Sequence, residues 1–196
     1  VVLQEAQALL SSEAFPPASR SPRKEQILEE LAVAAAGMGD FDSALRFQRR
    51  FVALAEKRQN PPNRWFMLGH AYRGLGQRLV ATGELQAAEQ AYLRSLQLWQ
   101  RRVQRDPADI QTLRAVAGIH TELAMLHAKR VEQAQDGEAK QRSRQRACAE
   151  FQRGQALLRH LPDPEIGFGS RHLWLPAPSA VEEQFARLCA TQGISR

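Results

Sequence analysis

The chain has 196 residues, 43% of them apolar, enough to bury one ordinary core or a short stack of helical units. Its net charge of +6 comes almost wholly from arginine and favours acidic partners, while the lack of any run of about 18 apolar residues excludes a membrane-spanning helix. The two cysteines, Cys148 and Cys189, lack CxxC or Cys/His ligand spacing and read as a reduced, buried pair. Val1 to Ser12 carry neither a basic flank nor a long apolar centre, and the chain does not begin with Met. The reading is of a piece of a larger protein without a visible secretion signal, placed in the cytoplasm.

Ile27, Leu28, Leu31, Ala35 and Met38 recur at helical spacing and stop at Gly37-Met38-Gly39-Asp40, where glycine supplies a left-handed stop and Asp40 a cap for the next helix. That helix carries Phe41, Ala44, Phe47, Phe51 and Leu54 and closes at Asn60-Pro61-Pro62. A central pair follows, from about Asn63 to Thr82 and from Glu84 to Arg105, the second helix holding Leu85, Ala88, Tyr92, Leu96, Trp99 and Val103 at 3-4 spacing. Asp106-Pro107 is expected to cap and open the third pair.

In that third pair Leu113, Val116, His120, Leu123, Ala124 and His127 each stand 48 residues after Trp65, Leu68, Tyr72, Leu75, Gly76 and Leu79, the mark of an internal repeat. Its partner helix, from about Gly137 to Leu161, repeats Ala88, Tyr92 and Ser95 as Ala147, Phe151 and Gly154, after a charged insertion between Ala128 and Arg146. From Pro162 to Ser179 the pattern breaks into Pro and Gly, yet Phe168, Trp174 and Leu175 are too apolar for a free linker, and the segment is expected to lie on the array. Val181, Phe185 and Leu188 then predict a short last helix over Ala180–Ala190 as a cap.

Tyr72, Leu75, Gly76 and Leu79, followed by Gly83, Leu85, Ala88, Tyr92 and Ser95, resemble the tetratricopeptide (TPR) repeat. Gly39 and Gly83 are 44 residues apart, against about 34 in the standard repeat, so the resemblance is to an elongated variant found beside other domains in multidomain bacterial signalling proteins. It implies an all-α, right-handed α-α solenoid of about three hairpins (24–58, 63–105 and 107–161) within an array at 1–161, followed by an apolar segment and capping helix at 162–196. Gly76 is expected to face Ala88 at a close crossing.

The resemblance also implies a function: a protein-interaction or scaffold module that binds a peptide or partner domain along a concave groove lined by the first helix of each pair. The matching positions are His70, Arg73, Gln77 and Val80, then Gly118, Thr121, Met125 and Ala128. Arg73 and Gln77, one turn apart, have the chemistry to hold a carboxylate. The family's Lys/Asn carboxylate clamp is missing, which argues against the acidic tails of cytosolic chaperones.

His120-Thr121-Glu122 opens like a zinc deaminase site, but no Pro-Cys-x-x-Cys follows. His120 and His127 lie two turns apart on an apolar stripe without a third ligand at i+4, and Gly69, Gly74 and Gly76 lack the Lys-Ser/Thr of a phosphate loop. No catalytic residue, metal or cofactor is expected, and the chain is not read as an enzyme. Lys140 to Arg146 spreads its cations around a helix among acidic neighbours, a solvated face; RNA or DNA binding is the second reading. A sensor segment closing on a neighbouring catalytic domain is the third.

Overall fold

The computed structural model describes residues 21–57, 61–159, 161 and 178–190. Among these the fold is all-α, in seven helices: α1 (Ser21–Gly37), α2 (Phe41–Glu56), α3 (Pro61–Ala81), α4 (Leu85–Arg105), α5 (Ile110–Gln133), α6 (Gly137–Leu158) and α7 (Pro178–Ala190). Each packs on the next. None is long and apolar enough to cross a membrane. Trp174 and most of the apolar segment expected to dock on the array lie outside the described residues.

The first two hairpins turn on one device used twice. Gly39 and Gly83 adopt positive φ, 79° and 84°. Each lets the chain fold back so that its own amide and the next one reach the last turn of the preceding helix. Gly39 N–H donates to Ala36 and Asp40 N–H to Ala35, while Gly83 N–H donates to Val80 and Glu84 N–H to Leu79. Asp40 then caps α2 by accepting from Ser43 N–H at 3.0 Å. The cap of α5 differs from the expected one. Asp106 only makes a turn with Ala108, and the helix opens at Asp109, which accepts from the amides of Gln111 and Thr112 while Arg102 and the Thr112 hydroxyl hold its other oxygen. An aspartate with four donors outcompetes one with a single turn bond.

The 48-residue repeat is visible in the packing. Leu68 and Val116, Gly76 and Ala124, and Leu79 and His127 are buried alike on α3 and α5, as are Ala88 and Ala147 on α4 and α6. Missing side chains let helices approach, and what enters each gap is a large group. A Cβ on Gly76 would stand 2.6 Å from the Tyr92 ring and one on Gly69 2.6 Å from Trp99 Nε1. A Cβ at Gly76 would meet the Tyr92 ring first, so the ring is what occupies the space over this glycine. Ser95 in turn donates to the Gly69 carbonyl at 2.6 Å, securing the same crossing.

The cysteines correct the reading of a reduced pair. Cys148 on α6 and Cys189 on α7 form a disulfide with Cα atoms 5.8 Å apart, across a sequence separation of 41. A crosslink over that separation is worth about 4 kcal/mol in the chain-entropy picture. It ties α7 over Ala124, Ala128 and Ala147, where Val181 and Phe185 are buried and Phe185 stacks on Phe151 with ring centroids 4.4 Å apart.

Gly76→Ala tests the α3–α4 crossing. Its methyl must displace the Tyr92 ring, so the variant should lose about 1–3 kcal/mol in urea unfolding; an unchanged midpoint would show that the ring is free to move aside.

Candidate functional site

The groove positions of α3 and α5 lie side by side in parallel, offset by the repeat. Lys129 Nζ donates to the Val80 carbonyl at 3.1 Å. Arg73 Nε donates to both oxygens of Glu122 at 2.9 and 3.1 Å, and its Nη2 lies 2.8 Å from Oε1. Gln77 Nε2 adds a bond to the same carboxylate at 2.8 Å. Gly118 makes the room, since a Cβ there would stand 2.7 Å from Arg73 Nη2. Arg73 and Gln77 thus converge on a carboxylate of the chain itself, in a pair whose side chains are only 9% and 4% exposed.

The other predicted positions also have neighbours within the chain. Val80 packs, partly buried, against the central core. Thr121 donates to the Ala117 carbonyl at 3.2 Å, and its hydroxyl lies against Gly154 of α6. Met125 packs partly buried in the cluster with Val181 and Phe185. Ala128 lies in the same cluster, beneath α7.

His70 stands at the other end of the stripe, edge-on to Phe66 and to Trp99 with centroids 4.5 and 4.9 Å apart. Phe66 itself meets Trp99 at 5.4 Å and remains 38% exposed. Two cations frame this end: Arg102 lies 5.4 Å above the Phe66 ring and Arg105 4.0 Å above Trp65. Arg102 is fixed there by Asp109 and Thr112, at 2.9 and 2.8 Å. Trp99 is buried with its Nε1 lacking an acceptor. The sequence reading passed over Phe66, although it lies one turn before His70 on the same face. It met Glu122 only as part of the His120-Thr121-Glu122 motif and not as the partner of Arg73, a charge where the preceding repeat has Gly74.

Between α4, α5 and α6 runs a second polar group. Glu89 receives Arg130 at 2.5 Å and lies 3.6 Å from His127 Nε2 and 3.9 Å from Arg146. His120 Nδ1 meets Glu150 at 2.6 Å, and Arg153 pairs with the same carboxylate. Burial holds the His127 pKa below its ordinary value, against the pull of Glu89. For Glu150 burial pushes upward, but the bond from His120 and the charges of His120 and Arg153 outweigh it and the pKa is lowered. Of the basic stretch, Arg142 pairs with Glu138 at 3.1 Å and Arg146 turns toward Glu89. Among the described residues no three His, Cys, Asp or Glu side chains are grouped to hold a metal. A shallow depression of about 540 Å³ lies at the α3–α4 turn, lined by Gly83, Leu85, Gln90 and Gln133 among others.

Two outcomes follow. Arg73→Met strands a buried carboxylate and should cost about 3–5 kcal/mol, whereas Arg73→Met with Glu122→Leu removes both charges and should recover most of that loss; equal destabilisation by single and double variants would deny the pair its role. The titrating groups set the acid limit. A neutral, buried His127 contributes stability above its ordinary value of 6.5, lost as pH falls through that value toward the lower folded one. The contribution of Glu150 is present above its ordinary 4.5 and is lost as pH falls through its folded value. Urea midpoints should therefore fall in two stages on acidification, with His127→Gln flattening the upper stage and Glu150→Gln the lower.

No protein-family model matches the chain, and no curated protein matches it. Among solved structures it is similar to a Podospora anserina protein assigned as a kinesin light chain with nearly identical TPR-like repeats. Identity is 15% and the TM-score 0.45, over 98% of this chain and 88% of that one. At those values the likeness is general, and the all-α hairpin array rests on the packing of its own helices.

Proposed function

We propose that the chain is a protein-interaction module, related to the TPR repeats, that takes an extended or helical segment of a partner along the α3 stripe and serves a regulatory or scaffold role within a larger protein. The observation that carries this reading is the aromatic end of the stripe. Phe66 keeps 38% of its surface in solvent, backed by a buried Trp99 and braced by His70 and Arg102. Rigid aromatic surface beside fixed cations suits an anchor side chain and a neighbouring carboxylate or carbonyl of a peptide. Because Arg73 and Gln77 are engaged by Glu122, they act in this reading as the wall of the stripe, and His70 as its polar contact.

The nucleic-acid reading draws less support, since Arg142 pairs with Glu138 and Arg146 lies toward Glu89, and no aromatic is interleaved among the cations of Lys140 to Arg146 to stack a base. Regulation of an adjacent catalytic domain is a special case of partner binding.

Peptides selected from a random display library on the folded chain provide the test. Phe66→Ala should weaken them by about ten-fold, equivalent to about 1.4 kcal/mol. Leu93→Ala, at an exposed apolar residue of α4, should leave them unchanged. Fluorescence anisotropy with the reverse ordering, or with both variants neutral, would remove the aromatic end from the binding surface.

A further inference from the structure

The capping helix α7 is built to be held from outside itself. It has 13 residues, too few for a stable helix alone in water, so helix formation and docking are coupled. Its buried anchors among the described residues are Val181 and Phe185, with Leu188 and Cys189 partly buried. One turn after Phe185 comes Cys189, bonded to Cys148 on α6. Beneath them lie Met125 and Ala128, which stand 48 residues after Gln77 and Val80, so α7 covers the continuation of the stripe.

We propose that the Cys148–Cys189 disulfide is a redox latch: oxidised, it locks α7 over this end of the stripe, and reduced by a dithiol, it lets α7 leave and bares Met125, Ala128 and Phe151. The two residues differ in exposure, Cys148 being buried in α6 and Cys189 partly exposed near the end of α7. A thiolate of the reductant attacks Cys189 Sγ, and Cys148 departs as a thiolate that takes up a proton. The reductant's second thiol then attacks its own sulfur in the mixed disulfide and frees Cys189. Two electrons and two protons pass to the chain, and the dithiol becomes a disulfide. Closing a loop of this separation biases α7 toward the docked state by about a hundred- to a thousand-fold, and that bias is what reduction removes. The consequence for partners rests on the binding reading above; the release of α7 does not.

Hydrogen exchange on the intact chain measures the release directly. Dithiothreitol should lower protection of the Val181–Ala190 amides at least ten-fold, with α3 and α4 unchanged within two-fold. Cys189→Ser should behave as the reduced protein in either condition, and glutathione disulfide should restore protection in the wild type alone. Protection of α7 that survives reduction would make the disulfide a passive staple and overturn the latch; so would loss of protection across all helices together. The display-selected peptides separate the two ideas: α7 release with unchanged affinity supports the latch but denies this end of the stripe to the partner, whereas release with tighter binding supports both.

Discussion

Arg73 carries a positive charge into the seam between α3 and α5, and everything on that side of the array is arranged around not leaving it alone. Glu122 answers it from α5, Gln77 adds a third donor, and Gly118 withdraws its side chain to admit the guanidinium. Buried ion pairs contribute little net stability compared with apolar residues of the same volume, but a broken one is costly. Sliding α3 against α5 by one turn would strand both charges. The pair thus acts on register more than on total stability, and that register aligns the stripe along both helices.

The α3–α4 contact is set by a different device, large groups entering gaps left by glycine. Tyr92 fills the space over Gly76, Trp99 that over Gly69, and Gln48 of α2 that over Gly74 while donating to the Ala71 carbonyl. Three glycines within eight residues of one helix would lower its intrinsic stability. Here each is offset by a ring or amide from a neighbouring helix, so α3 is helical because of what packs on it. The same substitution of space for side chain brings Trp99 close enough to support Phe66 and His70 from below.

Much of this architecture was legible. The offset of 48 residues foretold that α3 and α5 present equivalent positions, and Gly39 and Gly83 marked turns in which the amides of the glycine and of the next residue make matching hydrogen bonds to the preceding helix. Local rules succeed there because helix periodicity and left-handed glycine stops involve few residues. They fail where the deciding partner is distant. Nothing near Arg73 announces Glu122, 49 residues on, and nothing in the spacing of Cys148 and Cys189 fixes their pairing, which needs two helix faces to meet. Asp106 lost the cap of α5 to Asp109 in a local competition instead: Arg102, seven residues before Asp109, and the Thr112 hydroxyl, three after it, both hold the second oxygen of Asp109.

The two repeats diverge most where equivalent positions have different neighbours. Gln77 is polar because it reaches a carboxylate across the seam, while its counterpart Met125 is apolar because α7 lies over it. Val80 becomes Ala128, and Tyr72 becomes His120, bound to Glu150. The exchanges at Met125 and Ala128 fit the short helix α7 lying over α5, and that at His120 fits the carboxylate of Glu150 on α6. The aromatic end differs again, with Phe66 replaced by Arg114, so the second repeat does not reproduce the exposed ring of the first. Sequence divergence between the repeats thus separates three jobs along one line: an open aromatic end, a charged seam, and an apolar end beneath a crosslinked helix.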